Sequence, residues 1–188
     1  MSTPEKKTGR PRRYSFPPAE GFAHPHAGRA VAAMDELSER LFDLIADLPA
    51  EVLDFRASER LDSIAILTVH RAEAEAGWIA RATGQPVPEA IRKAIDAGKG
   101  RNPSPYGADQ LIDLCRLVRR EVTVPLLGPI ADVDAEIADG DRTVSPRGAL
   151  MHLLWHGSYH MGQVGYLRYA AGLDYQWTFD GRITGHAP

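Results

Sequence analysis

The stretch SPRGALMHLLWHGSYHMGQVGYLRYAAG, from Ser145 to Gly172, decides how this chain is read. Ser145 is a natural N-cap, because its hydroxyl can accept a backbone N–H of the first helical turn. Pro146 suits the first helical position, where its missing N–H costs nothing, and Gly172 stands where a helix end favours glycine. The spacing predicts one helix over 146–171. Within it His152, His156 and His160 recur every fourth residue. Side chains four apart lie on one helical face, one turn above another. His156 and His160 can therefore place imidazole nitrogens on one ion at about 2.0–2.1 Å, and Gln163 continues the stripe. The chain has seven histidines; scattered at random they would give about 0.01 such triples. A stacked polar seam or an interface ladder of histidines is the alternative.

Working outward, three more amphipathic segments appear. Over 26–48, Val31, Met34, Leu37, Leu41, Leu44, Ile45 and Leu48 recur at three and four, with Asp35, Glu39, Arg40, Asp43 and Asp47 opposite and Pro49 as the stop. A second helix is predicted over 59–82, with Ser58 as N-cap, Leu61, Ile64, Ile66, Leu67, Val69 and Ile79 as apolar members, and Gly84 past its end. Residues 85–107 are rich in proline and glycine and form a long connection interrupted by a short helix over 88–97. A third helix is predicted over 108–123, carrying Leu111, Leu114, Cys115, Val118 and Val122, and broken by Pro125, Gly128 and Pro129. Asp139-Gly140 is a turn signal, and no segment reads as a strand. The expected fold is all-α: a four-helix bundle with a long connection between helices two and three.

Composition narrows the function classes. Apolar residues make up 44 % and charged residues 25 %, ordinary for a globular protein, and the formal charge of −3 argues against bulk nucleic-acid or membrane-surface binding. One cysteine, Cys115, excludes a disulfide framework within the chain and a cysteine-based zinc site. No run reaches the roughly 18–20 apolar residues of a membrane span, and the N-terminus lacks the apolar core of a secretory signal, so the cytoplasm is the expected location. Residues 1–20 are polar, basic and proline-rich and read as a disordered arm before a single domain over 21–188. Gly9-Arg10-Pro11-Arg12-Arg13 resembles the core of a minor-groove hook, but Thr8 stands where the leading arginine belongs, and nucleic acid is not an expected partner. In the tail, Tyr175, Trp177 and Phe179 are available to fold back on the bundle or support a dimer.

One helix supplies two ligands easily and a third only with difficulty, since eight residues span about 12 Å. A third donor should come from a neighbouring helix, and the second helix offers His70. A lone histidine on an apolar face is otherwise a core residue. Glu73, three residues on, is available to orient an imidazole, bind metal or accept a proton; it also fits as a surface glutamate in the charged run Arg71-Ala72-Glu73-Ala74-Glu75.

Two stretches, Leu67-Thr68-Val69-His70-Arg71-Ala72-Glu73 ending in Trp78, and His152 to Gln163 followed by Arg168 and Gly172, resemble the DinB-like (DinB/YfiT) superfamily of metal-binding four-helix bundles. The resemblance covers roughly 25–172. It implies a three-histidine site of His70, His156 and His160, a divalent ion (zinc or nickel foremost), and a homodimer. It also implies a small-molecule substrate and, in some relatives, transfer of a low-molecular-weight thiol. Tyr159 and Met161 stand where many members carry a histidine and an arginine; neither position is needed as a ligand.

Three neutral imidazoles would leave an ion its charge and an open position, the catalytic rather than the structural pattern. The expected activity is metal-dependent thiol transfer to a small electrophile, with Glu73, His152, Tyr159 and Gln163 as candidate pocket groups. Metal-dependent hydrolysis or isomerisation of the maleylpyruvate-isomerase kind is the alternative. A non-catalytic metal-binding or dimerisation module is a third reading.

Overall fold

The computed structural model describes residues 7–8 and 13–176. In chain order the elements are β1 (Lys7–Thr8), α1 (Pro25–Ile45), α2 (Ala50–Leu53), α3 (Ile64–Thr83), α4 (Glu89–Gly98) and α5 (Ala108–Val118). After α5 come a π-helical turn at Arg119–Thr123, α6 (Val124–Leu127), β2 (Ile137–Asp139), β3 (Arg142–Val144), α7 (Pro146–Ala170) and β4 (Tyr175–Gln176). The chain is all-α in class. Helix α1 packs on α7, α7 on α3, α3 on α5, and α5 returns to α1, closing a four-helix square. Leu41, Leu44, Ile45, Ile64, Val69, Ile79, Leu111, Val118 and Leu150 meet inside it, each at most 1 % exposed. The expected long connection runs from α3 to α5 and carries α4. Among the described residues no helix is long and apolar enough to cross a membrane.

Helix ends follow local chemistry. The α7 cap is as read from the sequence: Ser145 Oγ accepts the Gly148 N–H at 3.1 Å. Helix α3, by contrast, begins at Ile64 rather than 59. Its cap is Ser63, whose hydroxyl accepts the Ile66 N–H at 3.3 Å, while Ser58 is exposed and caps nothing. The charged residues Glu59, Arg60 and Asp62 stay in a solvated turn, and Leu61, counted as a core member, is 48 % exposed. Gly84 ends α3 in the left-handed region at φ 66°, which glycine enters without a Cβ clash. His24 caps α1 by accepting the His26 N–H at its Nδ1, 3.1 Å away.

Three further expectations are corrected. Pro125 does not end the third helix, because the π-helical turn carries the chain on into α6, where Pro125 falls in the first turn and its missing N–H is tolerated. A hairpin of two short strands is present: β2 pairs antiparallel with β3 around Asp139-Gly140, with Gly140 at φ 68°. These strands are too short to show alternation, so periodicity could not reveal them. Arg40, read as part of the outer polar face of α1, is 2 % exposed and donates from Nε to Glu36 Oε1 at 2.9 Å.

Of the expected arm, residues 1–6 and 9–12 lie outside the described set, and with them most of the hook-like sequence. Lys7–Thr8 pairs in parallel with Tyr175–Gln176. Arg13 donates to Glu36 from both its backbone N–H and Nε, and the Ala19 N–H donates to the Gly28 carbonyl at 3.1 Å. Trp177, Phe179 and His186 of the tail lie outside the described residues.

Candidate metal centre

Helix α3 brings His70 to the seam with α7, two turns after its Ser63 cap, and α7 supplies His156 and His160. The Nε2 atom of His156 lies 3.0 Å from His70 Nε2 and 3.1 Å from His160 Nε2. Donor atoms of these three rings all lie within 4.8 Å of one another. Hydrogen bonding accounts poorly for such a cluster, because a ring nitrogen carries one in-plane N–H or one lone pair and cannot make two well-aligned bonds at once. A shared cation does account for it. Nitrogens bound at about 2.1 Å stand about 3.0 Å apart when their bonds meet at a right angle, and about 3.4 Å apart at the tetrahedral angle. The residues therefore fit a divalent ion. His160 is 9 % exposed, whereas His70 faces solvent, so the cluster is walled on the bundle side and open on the other.

The surroundings prepare the donors. His160 Nδ1 and Gln163 Oε1 are 2.6 Å apart. With Nδ1–H donating to that carbonyl, the Nε2 lone pair is left free for an ion. Gln163 Nε2 in turn donates to the Tyr159 hydroxyl at 3.4 Å. Burial, followed by the neighbouring His160, His70 and His152 rings and the Arg71 guanidinium, pushes His156 down to about 3. Burial also holds His160 and His152 below the ordinary imidazole value. Neutral rings are the ligating form.

The remaining candidates separate. His152 packs tilted against Trp78, with ring centroids 4.3 Å apart, and stands 5.5 Å from the His156 ring; it walls the site without joining the donor cluster. Tyr159 is exposed, stacked on Trp155 and edge-on to His160. Glu73 is ion-paired with Lys99 at 2.5 Å and lies outside the donor cluster.

Arg71 was missed as a site residue. It is 9 % exposed, and Nη2 reaches Ser38 Oγ at 3.5 Å. A Cβ added at Gly157 would stand 3.3 Å from Nη2, a tight contact that the guanidinium would have to relieve by a few tenths of an ångström. An arginine directly after the proposed ligand was the available signal, masked by the charged run that it opens. Beyond His160 a cleft of about 630 Å³ opens, lined by Arg60, Leu61, Tyr159, Gly162, Gln163 and Tyr166 among others.

A family model described as the DinB family matches residues 26–181. The chain belongs to the DinB family. Two solved structures share the fold. A DinB-like protein from Bacillus cereus ATCC 10987 is 20 % identical, with a TM-score of 0.60, over 77 % of this chain and 92 % of that one. A conserved protein from Enterococcus faecalis is 15 % identical, with a TM-score of 0.63, over 76 % of this chain and 95 % of that one. No curated protein matches the sequence. In this DinB-family chain the candidate metal ligands thus sit on the second and fourth long helices of the bundle.

Proposed function

We propose that this DinB-family protein holds a divalent ion, zinc or nickel, on His70, His156 and His160 and transfers a low-molecular-weight thiol to a small electrophile. The observation that carries the reading is the convergence of three Nε2 donors with an open side toward solvent. When bound, the ion supplies positive charge that lowers the pKa of a thiol reaching it.

Two features favour a thiol over water. A thiol starts at a pKa of about 8.5 and needs only a modest shift to ionise, whereas water must be shifted much further by the ion to reach the same state. Here Glu73 is engaged by Lys99, and no carboxylate joins the donor cluster among the described residues. The chain's own thiol is unsuited to the role, since burial pushes Cys115 up to about 11. The nucleophile must then come from a co-substrate. In this reading Gln163 holds the His160 ring in its ligating tautomer, His152 and Trp78 shield one side, and the Tyr159 hydroxyl, which accepts from Gln163, keeps its own proton to donate to an electrophile.

The test begins with metal analysis of the purified wild type beside His70→Ala and His156→Ala. About one ion per wild-type chain is expected, and little in either variant. Turnover of electrophiles in the presence of cysteine or a related small thiol supports the reading. Turnover without thiol would assign hydrolysis or isomerisation instead. Bound metal with no exchangeable position would leave a non-catalytic module.

A further inference from the structure

Gly162 lies in the interior of α7, where glycine is less favourable than alanine. Packing does not require it. A Cβ built there has nothing within 4 Å, unlike at Gly157, where Arg71 crowds the position. Gly162 instead opens onto the cleft beside His160. Tyr159 and Tyr166 stand one turn to either side of it, and Leu61, from the turn before α3, lines the same cleft. These three are 54 %, 65 % and 48 % exposed, an unusual outlay of large apolar surface around one point. The floor is Leu67 and Leu167, and His160 lines the same cavity. A volume of about 630 Å³ falls in the range of about 300–1,000 Å³ typical of small-molecule sites. Arg60 and Asp62 on the lining carry opposite charges, so the cleft selects no net charge.

We propose that this cleft receives the flat, ring-bearing body of an uncharged electrophile, with its reactive end at His160, and that Gly162 determines specificity by leaving room for the ring. The proposal rests on the reading of the three histidines as a small-molecule active site, but the cleft can be tested apart from the metal. Aromatic walls favour a ring laid against them by about two- to tenfold beyond simple area burial, so a planar ligand should be preferred over its saturated counterpart.

The experiment uses the full chain, metal-free and zinc-loaded, and measures binding of 2-naphthol and of decahydro-2-naphthol by calorimetry. The wild type should bind 2-naphthol in both metal states, about two- to tenfold more tightly than the saturated compound. Gly162→Leu, which fills the cleft, and Tyr166→Ser, which removes a wall, should each weaken 2-naphthol about tenfold. Tyr169→Ser, outside the cleft on the same helix, should leave binding unchanged, and zinc stoichiometry should match wild type in all three. Should Gly162→Leu fail to fold, Tyr166→Ser at its exposed position decides. Wild-type binding in both cleft variants, equal affinity for the two compounds, or the same loss in Tyr169→Ser would overturn the proposal. So would self-association that covers this face and is abolished by Gly162→Leu in the absence of naphthol binding. Naphthol binding without zinc uptake would keep the cleft and remove the metal-enzyme reading; zinc uptake without naphthol binding would do the reverse.

Discussion

His156 stands between two other imidazoles, beside a fourth, and near a buried guanidinium. Each neighbour disfavours a proton on it, and burial disfavours it most. In the unfolded chain the same ring ionises near its ordinary 6.5. The neutral folded form is therefore at no disadvantage above pH 6.5. Below that, the unfolded chain takes up a proton that the folded one refuses, and stability falls as pH drops from about 6.5 toward about 3. For metal-free protein, urea midpoints should decline from pH 6.5 to 5, before most carboxylates titrate. His156→Gln should flatten part of that decline; parallel profiles for the two proteins would mean the ring is not held neutral by the fold. Zinc, which binds only neutral imidazoles, should steepen the profile of the wild type.

At the scale of elements, the question is where α3 begins, because that end sets the position of His70. The fully buried Ser63 hydroxyl satisfies the Ile66 N–H. Ser63→Ala should cost about 1 kcal/mol, the usual worth of an N-cap. Ser58→Ala, at the boundary the sequence pattern suggested, should stay within about 0.5 kcal/mol. Thermal melts of the two variants distinguish the boundaries directly, and a larger loss for Ser58→Ala would restore the longer helix. Helix α7 was legible almost to the residue because serine, proline and glycine all act locally. Helix α3 was not, because two serines five residues apart are equally good caps in isolation, and only burial of the second chooses between them.

Across the whole molecule, a buried polar lock ties α3 to the π-helical turn after α5. Arg119 donates to Glu75 from Nε at 2.6 Å and from Nη2 at 2.9 Å, and also pairs with Asp35 of α1; the Thr123 hydroxyl donates to Glu75 at 2.6 Å. Burial pushes the Glu75 carboxyl up, but Arg119 and Thr123 outweigh it and hold the group below the usual carboxylate range. Removing one partner leaves an uncompensated buried charge. Arg119→Met should therefore cost about 3–5 kcal/mol in urea unfolding, while adding Glu75→Leu should recover much of the loss. A double variant as unstable as the single one would show that packing, not charge, is what the lock supplies. Nothing in the charged run Arg71 to Glu75 marks Glu75 as inward and Glu73 as outward. That choice depends on Arg119, more than forty residues away.

Alone, the sequence determined the helical class, the bounds of α7 and the four-residue histidine spacing, because caps, periodicity and same-face geometry are properties of a few consecutive residues. Tertiary structure decided that His70 meets His156 and His160, that Arg71 lies buried beside them, and that Gly162 opens a cleft rather than easing a helix contact. Those facts depend on how two helices about ninety residues apart dock, and docking follows from the burial of the whole core rather than from any local pattern.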